Sequence, residues 1–176
     1  MKFAKLVEDV SFPSNVGIVG AIILVAYFWN SPYFLNNAIT FIASMLVYKA
    51  TARMISKRVK SETKKFTYAF YAAISVFLIL SYFLPLTNQF FLSAVCLIIF
   101  NFIIHFVRDY WKVSAHTMAY TAMATVLSLV DVRFAISFVL LPIVIWSRLV
   151  LKRHDMEQII AAFVIGLVVP MIVFTL

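Results

Sequence analysis

Two of the three histidines lie in polar stretches that interrupt an otherwise apolar chain of 176 residues. His154 belongs to the arginine–histidine stretch (147–158) and His116 to the serine–histidine stretch (112–116), while a lysine-rich stretch covers 57–65. Imidazoles act as nucleophiles and as general acids near neutral pH. We therefore expect His154 and His116 to divide these two tasks within one site.

Hydroxyl and basic side chains near the histidines predict that this site binds an anion. Arg148 has a planar guanidinium that matches phosphate oxygens, and Lys57, Lys64 and Lys112 add positive charge. Ser114 is expected to cap the following helix, whose free N–H groups and dipole favour an anion. These residue types predict a phosphate site with two imidazoles.

Metal-binding patterns are not apparent in the sequence. Histidine, cysteine and carboxylate residues do not cluster at zinc-site spacing, and the single cysteine, Cys96, cannot form an intramolecular disulfide. We expect a site that uses no metal and no other cofactor.

The arginine–histidine stretch resembles a signature of the type 2 phosphatidic acid phosphatase superfamily. That signature reads Ser-Arg, five residues, His, three residues, Asp. Here Ser147 and Arg148 are followed after five residues by His154.

The other two stretches resemble the family's remaining motifs in the same order. Val-Ser-Ala-His at 113–116 stands where the family has Pro-Ser-Gly-His, and Lys57 is followed after six residues by Lys64 where the family has Lys, six residues, Arg-Pro. The resemblance extends over roughly residues 57–165, and the arginine–histidine stretch is its most specific part.

The resemblance implies a role for each matching residue. His154 would attack the phosphorus and form a transient phosphohistidine, while His116 would protonate the leaving oxygen. The phosphoryl oxygens would be held by Lys57, Lys64, Ser114, Arg148 and the backbone N–H of Ala115. Such donors stabilise the charge of a phosphoryl-transfer transition state.

Gln158 departs from the family pattern, because it stands where the family has an Asp that orients the nucleophile. It follows His154 by one helical turn, so its amide oxygen is placed to accept a hydrogen bond from the imidazole. A neutral amide does not stabilise an imidazolium as a carboxylate does. Turnover is therefore expected to be slower than with Asp at this position.

Composition places these polar stretches in an integral membrane protein. Hydrophobic residues make up 64% of the chain and charged residues 12%, against about 45–50% and about 25% in soluble domains. The 18 Phe, 8 Tyr and 3 Trp also exclude a solvated disordered chain.

Hydrophobic segments long enough to be membrane helices recur along the chain. We predict an all-α polytopic transmembrane helix bundle, with about seven membrane helices and six as the alternative. The predicted segments are 15–30, 33–50, 66–84, 89–107, 114–130, 134–150 and 156–175.

Residues 1–14 are predicted to form an interfacial amphipathic segment ahead of a single transmembrane domain at 15–176. Phe3, Leu6, Val7 and Val10 share one helical face. The segment lacks the long apolar centre of a signal peptide.

With seven spans, all basic residues except Arg133 fall on one face, that is 14 of the 15. The positive-inside rule makes this face cytoplasmic in a cell membrane. Interfacial cations predict anionic lipid headgroups as partners and not nucleic acid. The oligomeric state does not follow from the sequence.

Together these features predict a phosphatase that removes phosphate from a membrane lipid, either a phosphomonoester or a diphosphate. One alternative is a non-catalytic lipid-phosphate binder or transporter with the same anion site. Another is a phosphotransferase whose phosphohistidine is resolved by an alcohol.

Overall fold

The structure is a computed structural model that describes residues 1–56, 59, 62–107 and 110–176, without the side chains of 62–64 and 66. This part of the chain is helical throughout, and strands are absent from it. The helices are α1 (Lys2–Val10), α2 (Pro13–Tyr27), α3 (Phe34–Ser56), α4 (Glu62–Phe83), α5 (Asn88–Val107), α6 (Ala115–Val130), a 3-10 helix (Val132–Leu140), α7 (Leu141–Val150) and α8 (Met156–Thr175).

All seven predicted hydrophobic segments are helical, but the predicted count of seven membrane helices is not confirmed. Within the described residues, four stretches have the length and apolar character to cross a membrane, namely α3, α5, Val132–Val150 and α8. A fifth arises if α1 and α2, which meet at a 53° bend, form one span. Helix α6, with 16 residues, is shorter than the usual range of about 17–25.

The chain forms two compact units, whose boundaries fall within α2 and α5. The first unit contains Met1–Leu24 and Leu92–Leu176, and the second contains Val25–Phe91. The serine–histidine and arginine–histidine stretches both belong to the first unit.

In the first unit, α6 packs closely along α8. Gly166 of α8 makes this approach possible, because a Cβ there would lie 2.7 Å from the Met118 backbone oxygen and 2.9 Å from the Thr121 Cβ. Met118 and Thr121 are buried. The contact sets how near α6, and the histidine in its first turn, can come to α8.

Helices α2, α6 and α7 share a buried cluster in the same unit. Val16, Tyr120, Leu141 and Val144 form its centre. The Tyr120 hydroxyl donates to the backbone oxygen of Ser137 at 3.0 Å, which satisfies its polar end. These contacts hold α7, and with it Arg148, against α6.

The amphipathic N-terminal segment forms α1, and this helix packs against α7. Ala4 is fully buried, and the Phe3 ring lies 5.9 Å from the ring of Trp146, between centroids. Leu6 and Val10 remain exposed, as expected for an apolar face directed to a lipid surface. Helix α1 thus reaches the end of α7 that carries the arginine–histidine stretch.

In the second unit, α3 packs against α4, and the first turn of α3 is hydrogen-bonded to the loop that follows α4. Asn37 is fully buried; its Nδ2 donates to the Thr87 Oγ1 at 3.0 Å, and its Oδ1 accepts from the Thr87 N–H at 3.2 Å. Asn36 donates to the Pro85 backbone oxygen at 2.9 Å. This reciprocal pairing satisfies polar groups that would be costly to leave unpaired in an apolar environment.

We expect Gly166→Ala to lower the melting temperature of the purified protein, because the added Cβ meets backbone that cannot move aside cheaply. Overpacking of this kind costs about 1–3 kcal/mol. Gly17→Ala in α2 is the matched control, since nothing lies within 4 Å of a Cβ at that position. Equal melting temperatures for the two variants, measured in the same detergent, would contradict the close packing of α6 on α8.

Candidate active site

Ser114 begins α6 as predicted. Its side chain is fully buried, and its Oγ accepts from the Thr117 N–H at 3.4 Å and lies 3.0 Å from the Thr117 Oγ1. The cap fixes the direction of the first turn of α6. His116 therefore leaves the helix at its N-terminal end, where the dipole is positive.

Arg148 lies in the last turn of α7 and is 1% exposed. Its Nε donates to the Ser147 Oγ at a long 3.3 Å, and the Ser147 Oγ donates to the Val144 backbone oxygen at 2.7 Å. The Arg148 Nη2 is buried and has no hydrogen-bond partner among the described residues. Removing a guanidinium N–H from water without a hydrogen-bond partner costs free energy. A hydrogen-bond acceptor bound next to the Arg148 Nη2 would therefore be stabilised.

A short loop, 151–155, connects Arg148 to His154. Its backbone is held by the Arg153 N–H, which donates to the Arg148 carbonyl at 3.0 Å, and Lys152 adopts a positive φ of 51°. The loop places His154 just before α8. The Arg148 carbonyl is therefore joined by a backbone hydrogen bond to the residue that precedes His154.

Gln158 contacts His154 in the manner that its spacing predicts. The Gln158 Oε1 lies 2.9 Å from the His154 Nδ1. If the imidazole is neutral, this contact holds the proton on Nδ1 and leaves the Nε2 lone pair available. The orientation of His154 thus depends on a residue in the first turn of α8.

His116 lies close enough to Arg148 and His154 to interact with both electrostatically. Its Nε2 is buried without a partner among the described residues. The edge of the Phe12 ring packs against the imidazole with centroids 5.6 Å apart. The first unit therefore brings together the predicted pair of histidines and the predicted arginine.

The electrostatic surroundings keep His116 neutral. Burial lowers its pKa from the ordinary 6.5 to about 4, and the charges of Arg148 and His154 act in the same direction. The Glu8 carboxylate and a backbone hydrogen bond with Glu8 oppose this shift by raising the pKa. A bound anion would also raise it, because a negative charge favours the imidazolium.

Glu8, on α1, is a member of this cluster that the sequence analysis did not identify. Its Oε1 accepts from the Arg148 Nη1 at 3.0 Å and forms an ion pair with the Arg153 Nε at 3.3 Å. The sequence indicates this role of Glu8 only indirectly. A buried arginine needs a counter-charge, and the chain contains only 7 acidic residues that could supply it.

Of the remaining predicted residues, Lys112 is exposed at the start of the serine–histidine stretch and makes no hydrogen bond or ion pair within the described residues. Lys57 lies outside the described residues, as does the side chain of Lys64. The lysine-rich stretch falls in the second unit. Its participation in the phosphate site therefore stays a prediction.

This arrangement of two imidazoles and a buried arginine suits the binding and transfer of a phosphoryl group. Arg148 supplies a fixed positive charge, His154 is oriented through Nδ1, and His116 can take up a proton when an anion is near. Among the described residues, no group of three or more His, Cys, Asp or Glu side chains is placed to hold a metal ion.

Comparisons with known proteins do not assign this chain to a family. No family model matches it, and neither a curated protein nor a solved structure does.

We expect the protein to lose stability as the pH falls from about 6.5 to about 4. The folded state holds His116 at the lower pKa, so the unfolded chain binds more protons in this window and acid favours unfolding. Melting temperatures measured across this range should fall less steeply for His116→Asn. His105→Asn, which removes an exposed imidazole from α5, is the control. If wild type and His116→Asn showed the same slope, the proposed environment of His116 would be wrong.

Proposed function

We propose that this protein is an integral membrane phosphatase that removes a phosphomonoester or diphosphate group from a lipid through a histidine nucleophile. The proposal depends on one observation: the Arg148 Nη2 and the His116 Nε2 are both buried without a hydrogen-bond partner among the described residues. Both belong to a cluster that also contains His154, oriented by Gln158. A phosphoryl group offers acceptors for the arginine and a leaving oxygen for the protonated His116.

The proposed reaction has two phosphoryl-transfer steps. First, the His154 Nε2 attacks the phosphorus, the bond from phosphorus to the lipid oxygen breaks, and His116 gives its proton to that oxygen. Water then attacks the phosphohistidine, His116 takes a proton from the water, and phosphate leaves His154. Arg148 neutralises charge on the phosphoryl oxygens in both steps.

His116 is neutral in the ligand-free site, yet the first step needs its protonated form. The substrate supplies the missing stabilisation, because a phosphate monoester brings up to two negative charges next to the imidazole. Protonation is thereby linked to substrate binding, and the general acid is charged only when a leaving group is present.

The resemblance to the type 2 phosphatidic acid phosphatase superfamily supports the same assignment. In this proposal Ser114 and the backbone N–H of Ala115 assist Arg148 in holding oxygens, and Lys57, Lys64 and Lys112 supply further positive charge. The Ser114 hydroxyl is 3.0 Å from the Thr117 hydroxyl, so Thr117 is able to donate to Ser114 while Ser114 donates to a ligand.

A lipid substrate is favoured by the long apolar helices that surround the polar stretches in the sequence. The acyl or prenyl tail would stay in the bilayer while the headgroup enters the site. Phosphatidate, phosphatidylglycerophosphate and polyprenyl diphosphates are the candidate substrates. With the predicted seven spans, the basic residues would be concentrated on one face, which favours a cytoplasmic site.

We expect purified protein in detergent to release phosphate from at least one lipid of a panel of short-chain phosphatidate, phosphatidylglycerophosphate and polyprenyl diphosphate. His154→Asn should reduce release roughly a thousandfold or more, as is typical when a nucleophile is removed. His105→Asn is the matched control and should behave as wild type. An acid-labile phosphorylated protein should form with wild type and not with His154→Asn.

The same assay separates the alternatives. Binding of lipid phosphate without release of phosphate would favour the non-catalytic binder or transporter. Release only when an alcohol is added would favour the phosphotransferase. Equal release by wild type and His154→Asn would contradict the histidine mechanism.

Gln158→Asp is expected to increase turnover by roughly tenfold. A hydrogen bond that an imidazolium donates to a carboxylate is stronger than one that it donates to a neutral amide by about 1–1.5 kcal/mol. About 1.4 kcal/mol corresponds to a factor of ten in rate. The turnover number should be measured over a range of pH, with Glu157→Asp as control because Glu157 is exposed. An unchanged rate at every pH would show that Gln158 does not limit the reaction.

A further inference from the structure

Helix α1 brings the Glu8 carboxylate into the centre of the candidate site, although it lies 140 residues before Arg148 in the chain. The helix is held on both sides of Glu8. Before it, Ala4 is buried and Phe3 packs on Trp146. After it, the Asn15 Nδ2 donates to the Asp9 backbone oxygen at 3.0 Å.

The contacts of Glu8 leave a specific part of Arg148 unused. The Glu8 Oε1 accepts from Nη1 at 3.0 Å, whereas Nη2 has no partner among the described residues and Nε has only the long bond to Ser147. The edge of the guanidinium formed by Nε and Nη2 is one of the two edges that can donate two parallel hydrogen bonds to a phosphate. The Glu8 carboxylate thus binds the guanidinium at Nη1 and not at the Nε–Nη2 edge.

We propose that Glu8 is a positioning residue of the site, whose carboxylate fixes the Arg148 guanidinium so that its Nη2 faces the phosphoryl group of the substrate. This inference rests on the proposed function. The same carboxylate oxygen also binds Arg153, which is 59% exposed at its side chain. Glu8 therefore contacts both the buried arginine of α7 and the exposed arginine within the loop 151–155.

The opposite role for Glu8 is that of an internal anion, which a phosphate must displace before it can bind Arg148. The geometry favours positioning, because Nη2 is available without any movement of Glu8. The two roles give opposite expectations when the carboxylate is neutralised. If Glu8 positions Arg148, neutralisation weakens substrate binding. If Glu8 is an internal anion that competes with the substrate, neutralisation strengthens substrate binding.

Glu8 also influences the general acid. Three charged or titratable groups act on His116, namely Glu8 from α1, Arg148 from α7 and His154 from the loop before α8. Glu8 alone among them favours the imidazolium. Loss of its charge should make His116 harder to protonate, so Glu8 would support both the anion site and the proton donor.

Glu8→Gln is expected to lower kcat/KM by about tenfold to a hundredfold and to raise KM, because partners that orient a site residue typically contribute this much. Glu8→Asp keeps the charge and should recover part of the loss. Asp9→Asn is the matched control, since the Asp9 side chain is exposed on the same helix, and it should behave as wild type. Phosphate release from the best lipid of the panel is the assay.

A lower KM or a higher kcat/KM for Glu8→Gln would overturn the proposal in favour of an internal anion. Should Glu8→Gln fail to fold, Glu8→Asp serves as the test. Reduced kcat/KM at an unchanged melting temperature would support positioning, and wild-type kinetics would overturn it.

An NMR titration of ¹⁵N-histidine-labelled protein separates this inference from the proposed function, because it needs no substrate. The His116 signal, assigned by its loss in His116→Asn, should titrate at lower pH in Glu8→Gln than in wild type, and Asp9→Asn should not shift it. An unshifted His116 in Glu8→Gln would overturn the proposed position of Glu8. If the shift is observed but no lipid is hydrolysed by wild type, the phosphatase function fails while the contact stands.

Discussion

The buried guanidinium of Arg148 imposes the main constraint on the first unit. A cation that is 1% exposed is costly to bury unless its charge is compensated by a nearby partner. The fold meets this requirement from two sides: Ser147 on the same helix accepts from Nε, and Glu8 arrives on α1 to accept from Nη1. The packing of α1 on α7 brings this carboxylate to the arginine, while the Arg148 Nη2 has no hydrogen-bond partner among the described residues.

Local features of the site could be predicted because they depend on residues near one another in the chain. Ser114 caps α6 and Gln158 contacts His154 across one helical turn, and both arrangements follow from helix geometry. The hydrophobic segments are helical for the same reason. The number of membrane helices is harder to predict from the sequence. Helix α6 has an apolar composition but only 16 residues. The bend between α1 and α2 allows those helices to form either one span or two separate elements.

The contribution of Glu8 could not be predicted from the sequence, because no periodicity connects it to Arg148. The interpretation of residues 1–14 as an interfacial segment accounts for the apolar face of α1 but not for its acidic residue. Arg153 was similarly interpreted as one of many interfacial cations, and its pairing with Glu8 depends on the loop that follows α7. Non-local ion pairs of this kind become visible only when the helices are placed together. The role of Lys57 and Lys64 remains a prediction from the motif alone.

The two imidazoles are held by separate parts of the first unit. His154 lies in the short loop after α7, in which the Arg153 N–H donates to the Arg148 carbonyl. His116 is carried by α6, whose distance from α8 is limited at Gly166. Arg148 and His154 are therefore positioned by neighbouring parts of the chain, and His116 by a different helix. In the proposed mechanism, the packing of α6 on α8 would govern where the lipid oxygen departs, and the loop after α7 would govern where phosphorus is attacked.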